Sequence, residues 1–594
     1  MLPEASLIIA NARVISMDSF APSFSKKGQV IAIRNQRIIA LGDTQQVNSL
    51  VGANTRWIDA HERSLLPGFI DSHFHLMSGS AELDNAELVG VNSLGELADA
   101  MRQHASRQAA KATGERMDAA LLPAKIEFSS TWVTGSHLKY GLLPGGELLT
   151  RRHLDEILAD RPLVVMAYDY HTLWANTLAL QLAGLLPDFD SAEKKPYSAG
   201  VVLAEDGLPS GELREPPAYG PVLALTGAWG RASTNLTGIE AARLGAAEQA
   251  EDRRLLQRGL ALAAKAGVTS IHNMDGNTHS AAMYAALEDL GELTLRIYLP
   301  LSVSPQTTTD ELQEALEMKR LLHQEEGVAS TTRETAPQLV RAGHVKFFMD
   351  GVMESWTAFL LDDYADRSGW RGEPIYTPDQ FNRLVSECDR LGLQISVHAI
   401  GDAAVRQALD GFAKAREING GRDSRHRIEH IEVIDFEDLP RFSELGVIAS
   451  MQPLHAPRLG DVWLERAGEL RWERSFAWNH LRQAGARLAF GSDWPVVTQN
   501  PMLGLHAALN RQVWKTGLSD QRQTLQQALD SYTRQAAYAE FQEQQKGMLR
   551  AGYLADMALL SADLQEIPAE EINQVHPILT VCDGRVVYEE LPWQ

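Results

Sequence analysis

Eight short apolar segments between residues 65 and 493 constrain what this chain can fold into more than any other feature. LLPGFIDSHFHL, AGVTSIHN, LRIYLPLSV, GHVKFFMDG, LQISVHAIG, HRIEHIEV, GVIASMQP and ARLAFGSD each read as a buried strand. Between them lie stretches such as DAAVRQALDGFAKARE, with apolar residues at helical spacing. Strands that are apolar on both faces and alternate with helices pair in parallel. Eight such β/α units are the number that closes a barrel, so the expected fold class is α/β with a (β/α)8 TIM-like barrel.

The chain has 594 residues, more than a barrel needs. Residues 1–64 carry the β-rich runs SLIIANARVIS, QVIAIRNQRIIALG and TRWIDA, and residues 541–594 carry YLADMALLS and LTVCDGRVVYE, with Asp583-Gly584 as a hairpin turn. Both termini are expected to pair into a small β-sandwich. The first barrel strand and its motif occupy 65–78, and the second strand follows only after about 190 residues. An inserted α/β subdomain is therefore expected at 79–235, with RPLVVMAYDYH and AGVVLAEDG among its strands, and the rest of the barrel at 236–540. An Ala/Leu/Arg-rich helix ending at Gly267 returns the chain to the barrel.

The chemistry-bearing residues stand at the ends of these segments. In PGFIDSHFHL, His73 and His75 are two apart, so both imidazoles point to one side of an extended strand. His398 ends LQISVH, His430 ends HRIEH and Asp493 ends ARLAFGSD. In a parallel barrel the carboxyl ends of all strands converge on one mouth, where histidines with a carboxylate form a ligand set suited to zinc and similar divalent ions. Lys346, inside an apolar strand, has two readings: an ammonium paired with Asp350, or a lysine carbamylated by carbon dioxide into an anionic ligand.

Seventy-seven acidic against 55 basic residues give a net charge of -22. That balance disfavours nucleic acid and anionic membranes as partners and leaves a small-molecule substrate. Two cysteines, Cys388 and Cys582, exclude a disulfide framework and a Cys-rich zinc module. The N-terminal run has no cationic lead-in, and no stretch reaches the roughly 18 apolar residues of a membrane helix, so a cytoplasmic protein is expected, with a homodimer left open. Without a Gly-Lys dipeptide or a G-x-S-x-G elbow, nucleotide-driven and serine-hydrolase chemistry is unsupported.

Taken in order, PGFIDSHFHL, VKFFMDG, ISVHAIGDAAV, RIEHIE and GSDWPV resemble the amidohydrolase superfamily, and within it the YtcJ-like branch that includes N-substituted formamide deformylase. LPSGELRE and KGMLRAGYLADMALL extend the resemblance over nearly the whole chain. It implies that His73, His75 and Asp493 hold one metal and His398 and His430 a second, with carbamylated Lys346 as the bridge; a single ion is the fallback. The activity implied is hydrolysis of a C–N bond by a metal-activated water, with Asp493 as general base.

Further readings concern the substrate. By the resemblance, His171 in YDYHTLWAN is a candidate contact to substrate or oxyanion, and Tyr170 beside it stands where relatives usually have glycine. Trp356 in DGVMESWTAF stands where relatives often have arginine, which would favour apolar or aromatic substrates. The aromatic stretch at 451–480 is expected to cover the catalytic face as a lid, with Trp463, Trp472 and Trp478 as cover and His455 as a substrate contact. His272, closing the second strand, is a candidate for supporting a ligand. The alternatives are a deaminase or cyclic amidase on the same site, or a binding protein that keeps the scaffold without turnover.

Overall fold

The computed structural model describes residues 4–18, 28–114, 132–186, 197–233, 245–322 and 338–590. Two units are distinct within it: Met1–Leu76, Gln257–Met353 and Thr357–Gln594 form one, and Met77–Leu256 with Glu354–Trp356 the other.

In the first unit eight strands run parallel in chain order: β1 (Phe69–Phe74), β2 (Val268–Asn273), β3 (Arg296–Ser302), β4 (Val340–Phe348), β5 (Gln394–Ala399), β6 (Arg427–His430), β7 (Ile448–Met451) and β8 (Arg487–Phe490). β1 and β5 are buried at every position, as strands packed on both faces must be. The seam between β8 and β1 is closed at the mouth, where Asp493 N donates to His73 O at 2.7 Å and His75 N donates to Trp494 O at 2.9 Å. Helix Pro378–Arg390 starts on Thr377, whose side chain caps Gln380 N, with proline in the first turn. Helix Asp402–Asn419 follows β5 by way of Gly401, where a Cβ would meet Phe359 O at 2.0 Å. This is the expected (β/α)8 architecture.

Both termini build the sheet that accompanies the barrel. Strand Leu7–Val14 pairs antiparallel with Gln29–Arg34 and parallel with Arg56–Asp59, then shifts register and pairs its last residues, Arg13 and Val14, with Ser64–Pro67. That last strand pairs antiparallel with Met557–Leu560, which leads to Pro577–Cys582 and Arg585–Glu589. Ile9, Val14, Ile31, Leu65, Met557, Leu559 and Val581 fill one core between these strands. Asp583 (φ 54°) and Gly584 (φ 71°) form the hairpin turn, in the left-handed pair of conformations that Asp-Gly suits.

The second unit has its own six-stranded sheet, in the order Val201–Leu203, Pro209–Arg214, Thr172–Ala175, Leu163–Ala167, Val133–Leu138, Ala86–Glu87. Its core joins Leu97 and Met101 of helix Leu94–Gly114 to Val133, Leu163, Val165 and Trp174. Helix Ala246–Lys265 leads to Gly267, with φ 77°. Among the described residues no helix is long and apolar enough to cross a membrane.

Candidate metal centre

β1 delivers His73 and His75 to the mouth from one side of the seam, and the end of β8 delivers Asp493 from the other. Asp493 Oδ1 lies 3.3 Å from His73 Nε2 and 3.1 Å from His75 Nε2. Ligands of a tetrahedral zinc ion, at its usual bond lengths, stand about 3.3 Å apart, so this spacing is that of donors converging on one ion. His430 adds a fourth donor: ligand atoms of His73, His430 and Asp493 all lie within 4.8 Å of one another. The His398 and His430 ring centroids are 4.6 Å apart, and Lys346 Nζ lies 3.4 Å from His73 Nε2. All six residues expected at the metal site come together at this mouth.

An imidazole ligates through the nitrogen that carries no proton, and the partner of its other nitrogen decides which one that is. Glu429 Oε2 lies 2.8 Å from His73 Nδ1. A carboxylate accepts, so Nδ1 holds the proton and Nε2 faces the site with its lone pair. Gln452 Oε1, 2.8 Å from His430 Nδ1, does the same for His430. At His398 the order is reversed, because the Gly351 carbonyl takes Nε2–H at 3.1 Å and leaves Nδ1 as the donor.

Burial, and then the Lys346 charge, hold His73 down at about 4. Burial with the neighbouring His398 and His73 keeps His430 well below the ordinary histidine range. Burial alone would push Asp493 up, but His73, His75 and His430 outweigh it and hold the carboxyl well below its usual range. Neutral imidazoles beside an ionised carboxylate are the forms that bind a metal, so the donor set fits a divalent ion. Burial lowers the Lys346 amine to about 8, against the pull of Glu429 and Asp493. Asp350 accepts the backbone N–H groups of Phe359, Ile400 and Gly401.

Two ligands owe their aim to unusual backbone. His430 has φ 75° and Asp493 φ 62°, left-handed values uncommon outside glycine. In a regular strand neighbours face opposite ways, yet Glu429 and His430 both reach His73. The left-handed turn at the end of β6 makes that possible.

A family model described as "Amidohydrolase family" matches residues 56–588. The chain belongs to the amidohydrolase family. Among its relatives are LONG AFTER FAR-RED 3 of Arabidopsis thaliana, 26% identical over 98% of this chain and 92% of its own length, and the putative amidohydrolase YtcJ of Bacillus subtilis, 24% identical over 95% and 96%. N-substituted formamide deformylase of Arthrobacter pascens is 22% identical over 99% of both chains. YtcJ and the deformylase stand for the YtcJ-like branch that the motifs resemble. A solved metal-dependent hydrolase from Pyrococcus horikoshii superposes with a TM-score of 0.67 at 23% identity, over 95% of this chain and 99% of that one. The protein is thus a hydrolase of this family, and the residues at its barrel mouth form a candidate divalent-metal site.

Beside this amidohydrolase centre, His455 stacks parallel to His430 at 5.9 Å. Among the described residues its Nε2 has no hydrogen-bond partner, and it lies 3.9 Å from Asp493 Oδ2. Trp463 and Trp478, expected as cover, are fully packed instead, and Trp463 Nε1 donates to Glu432 at 2.6 Å. His171 and Trp356 belong to the second unit. His171 Nδ1 bonds Glu215 at 2.8 Å, and although burial opposes it, Glu215, Asp169 and Glu354 push the imidazole up to about 9. Arg214 lies over the Trp356 ring at 5.4 Å. Glu429, Arg427 and Gln452 were not singled out from sequence, although charges inside the apolar segment HRIEHIEV were a visible signal.

Proposed function

We propose that this protein hydrolyses a C–N bond of a small molecule, in an amide, N-formyl or N-acyl group, with zinc as its metal. The observation that carries the reading is the division of labour within Asp493. Its Oδ1 converges with His73 and His75, while its Oδ2 faces His430 and His455 at 3.9 Å each. One oxygen holds an ion and the other is left for a proton.

His73, His75 and Asp493 would hold one ion in this reading, and His398 and His430 a second, with Lys346, once carbamylated, as a further ligand. The lowered amine of Lys346 supports that role, since only an unprotonated amine reacts with carbon dioxide. When bound, the metal polarises the substrate carbonyl and acidifies the attacking water. Asp493 Oδ2 accepts the proton of that water and returns it to the leaving nitrogen. His455 Nε2 contacts the substrate from the mouth side. The deformylase among the relatives makes N-formyl amines the first compounds to try.

The test is a screen of the zinc-loaded protein on N-formyl amines, N-acyl amino acids and cyclic amides, with Asp493→Asn as control. Turnover of an acyclic amide is expected to fall roughly 10²–10⁴-fold in the variant. Equal rates would remove Asp493 from its role, and turnover of cyclic amides alone would replace the acyclic reading by a ring-opening one.

A further inference from the structure

We infer that a buried charged chain, Glu429–Arg427–His272–Glu540–Lys546, is a positioning device that sets His73 as a metal ligand from deep inside the barrel. The inference rests on the metal-centre reading above and adds residues that never touch the ion or the substrate.

The chain begins at Glu429, whose Oε2 accepts the hydrogen bond of His73 Nδ1–H. Arg427 grips the same carboxylate with Nε to Oε1 at 2.5 Å and Nη2 to Oε2 at 3.0 Å. It also donates to Ser72 O, to Ser450 Oγ at 2.7 Å and to His272 Nδ1 at 2.6 Å. Those partners sit on β1, β7 and β2, while Arg427 itself sits on β6. A guanidinium bonded to four strands of a barrel lies near its axis, and Arg427 has no exposed surface.

An arginine only donates, so His272 Nδ1 must accept, and its proton stands on Nε2. That nitrogen lies 3.3 Å from Glu540 Oε1, which in turn lies 2.5 Å from Lys546 Nζ; Lys546 also donates to Ser270 Oγ. Two carboxylates, one guanidinium, one ammonium and one neutral imidazole sum to zero, and Arg341 Nη1 approaches the other Glu540 oxygen at 3.8 Å. A buried charge persists when opposite charges surround it, and removing one member leaves another stranded.

The direction of control follows from proton placement. From His73 to His272 each group is a fixed donor or a fixed acceptor, so the tautomer of His73 is decided by Glu429, and the position of Glu429 by Arg427; beyond His272 the link to Glu540 is a charge contact rather than an aligned hydrogen bond. A carboxylate on the far nitrogen of a ligating histidine also raises its basicity toward a metal. Supporting partners of this kind are typically worth about 10–100-fold in metal affinity.

Zinc affinity, measured by chelator competition without substrate, tests the inference on three proteins: wild type, Glu429→Gln, and the charge-neutral pair Glu540→Gln/Lys546→Met. Glu429→Gln is expected to bind zinc about 10–100-fold more weakly and to alter the visible bands of the cobalt-loaded protein. The remote pair should weaken zinc several-fold, and it serves alone if Glu429→Gln does not fold. Affinities within twofold of a zinc-binding wild type in the folded variants would overturn the inference alone. A wild type that binds no divalent ion would overturn the metal-centre reading and this one with it.

Discussion

Tyr170 and Trp356, the two positions expected from the resemblance to differ from related sequences, both have left-handed backbone, with φ 64° and 59°. Such a φ favours glycine, the residue expected in relatives at the first position. Tyr170 offsets the strain through its hydroxyl, which bonds Glu82 and His137, and through its carbonyl, which accepts from Tyr219. Trp356 is likewise no bare apolar plane, because Arg214 restores a cation over its ring. At His171 the charge is the point. Its folded value, raised to about 9 from 6.5, contributes stability that is complete below about pH 6.5 and lost as pH rises through about 9. Glu215→Gln should flatten that dependence, with melting temperatures at pH 6.5 and pH 9.5 drawing together. A variant that keeps the wild-type slope would assign the slope to another group.

The strand segments were legible because a parallel barrel strand is buried on both faces and so reads as an unbroken apolar run. The same property hid Arg427 and Glu429. Charges within HRIEHIEV look outward-facing until the barrel closes and gives them a polar interior. His430 was legible as a residue type at a strand end, but its left-handed φ was not, since tertiary context sets it. Trp463 and Trp478 resembled cover because aromatics serve at surfaces and in cores alike, and packing decides between the two. At the end of β8, the seam leaves no room for a side chain at Gly491. A Cβ there would meet His73 N at 2.5 Å and Asp71 Oδ1 at 2.7 Å, the carboxylate that accepts from His73 N and Ser492 N. Gly491→Ala should destabilise the barrel by roughly 1–3 kcal/mol and lower its zinc content. Calorimetry and metal analysis check the two effects, and an unchanged zinc content would mean that the seam yields without moving His73.

At the scale of the molecule, the candidate metal ligands and the barrel closure share His73, His75 and Asp493. Chelation should therefore lower the melting temperature of the barrel, and zinc should restore it. At a free zinc concentration a hundred times its Kd, the gain is about 2.7 kcal/mol. A melting temperature indifferent to chelation would mean that the closure stands without the ion. The seam also joins parts of the chain made at very different times. Asp71 and Ser492, bonded across it, are 421 residues apart. While the chain is being synthesised, more than 400 residues follow the first two histidines before their carboxylate exists. No growing or truncated chain that stops short of Asp493 can assemble the candidate centre.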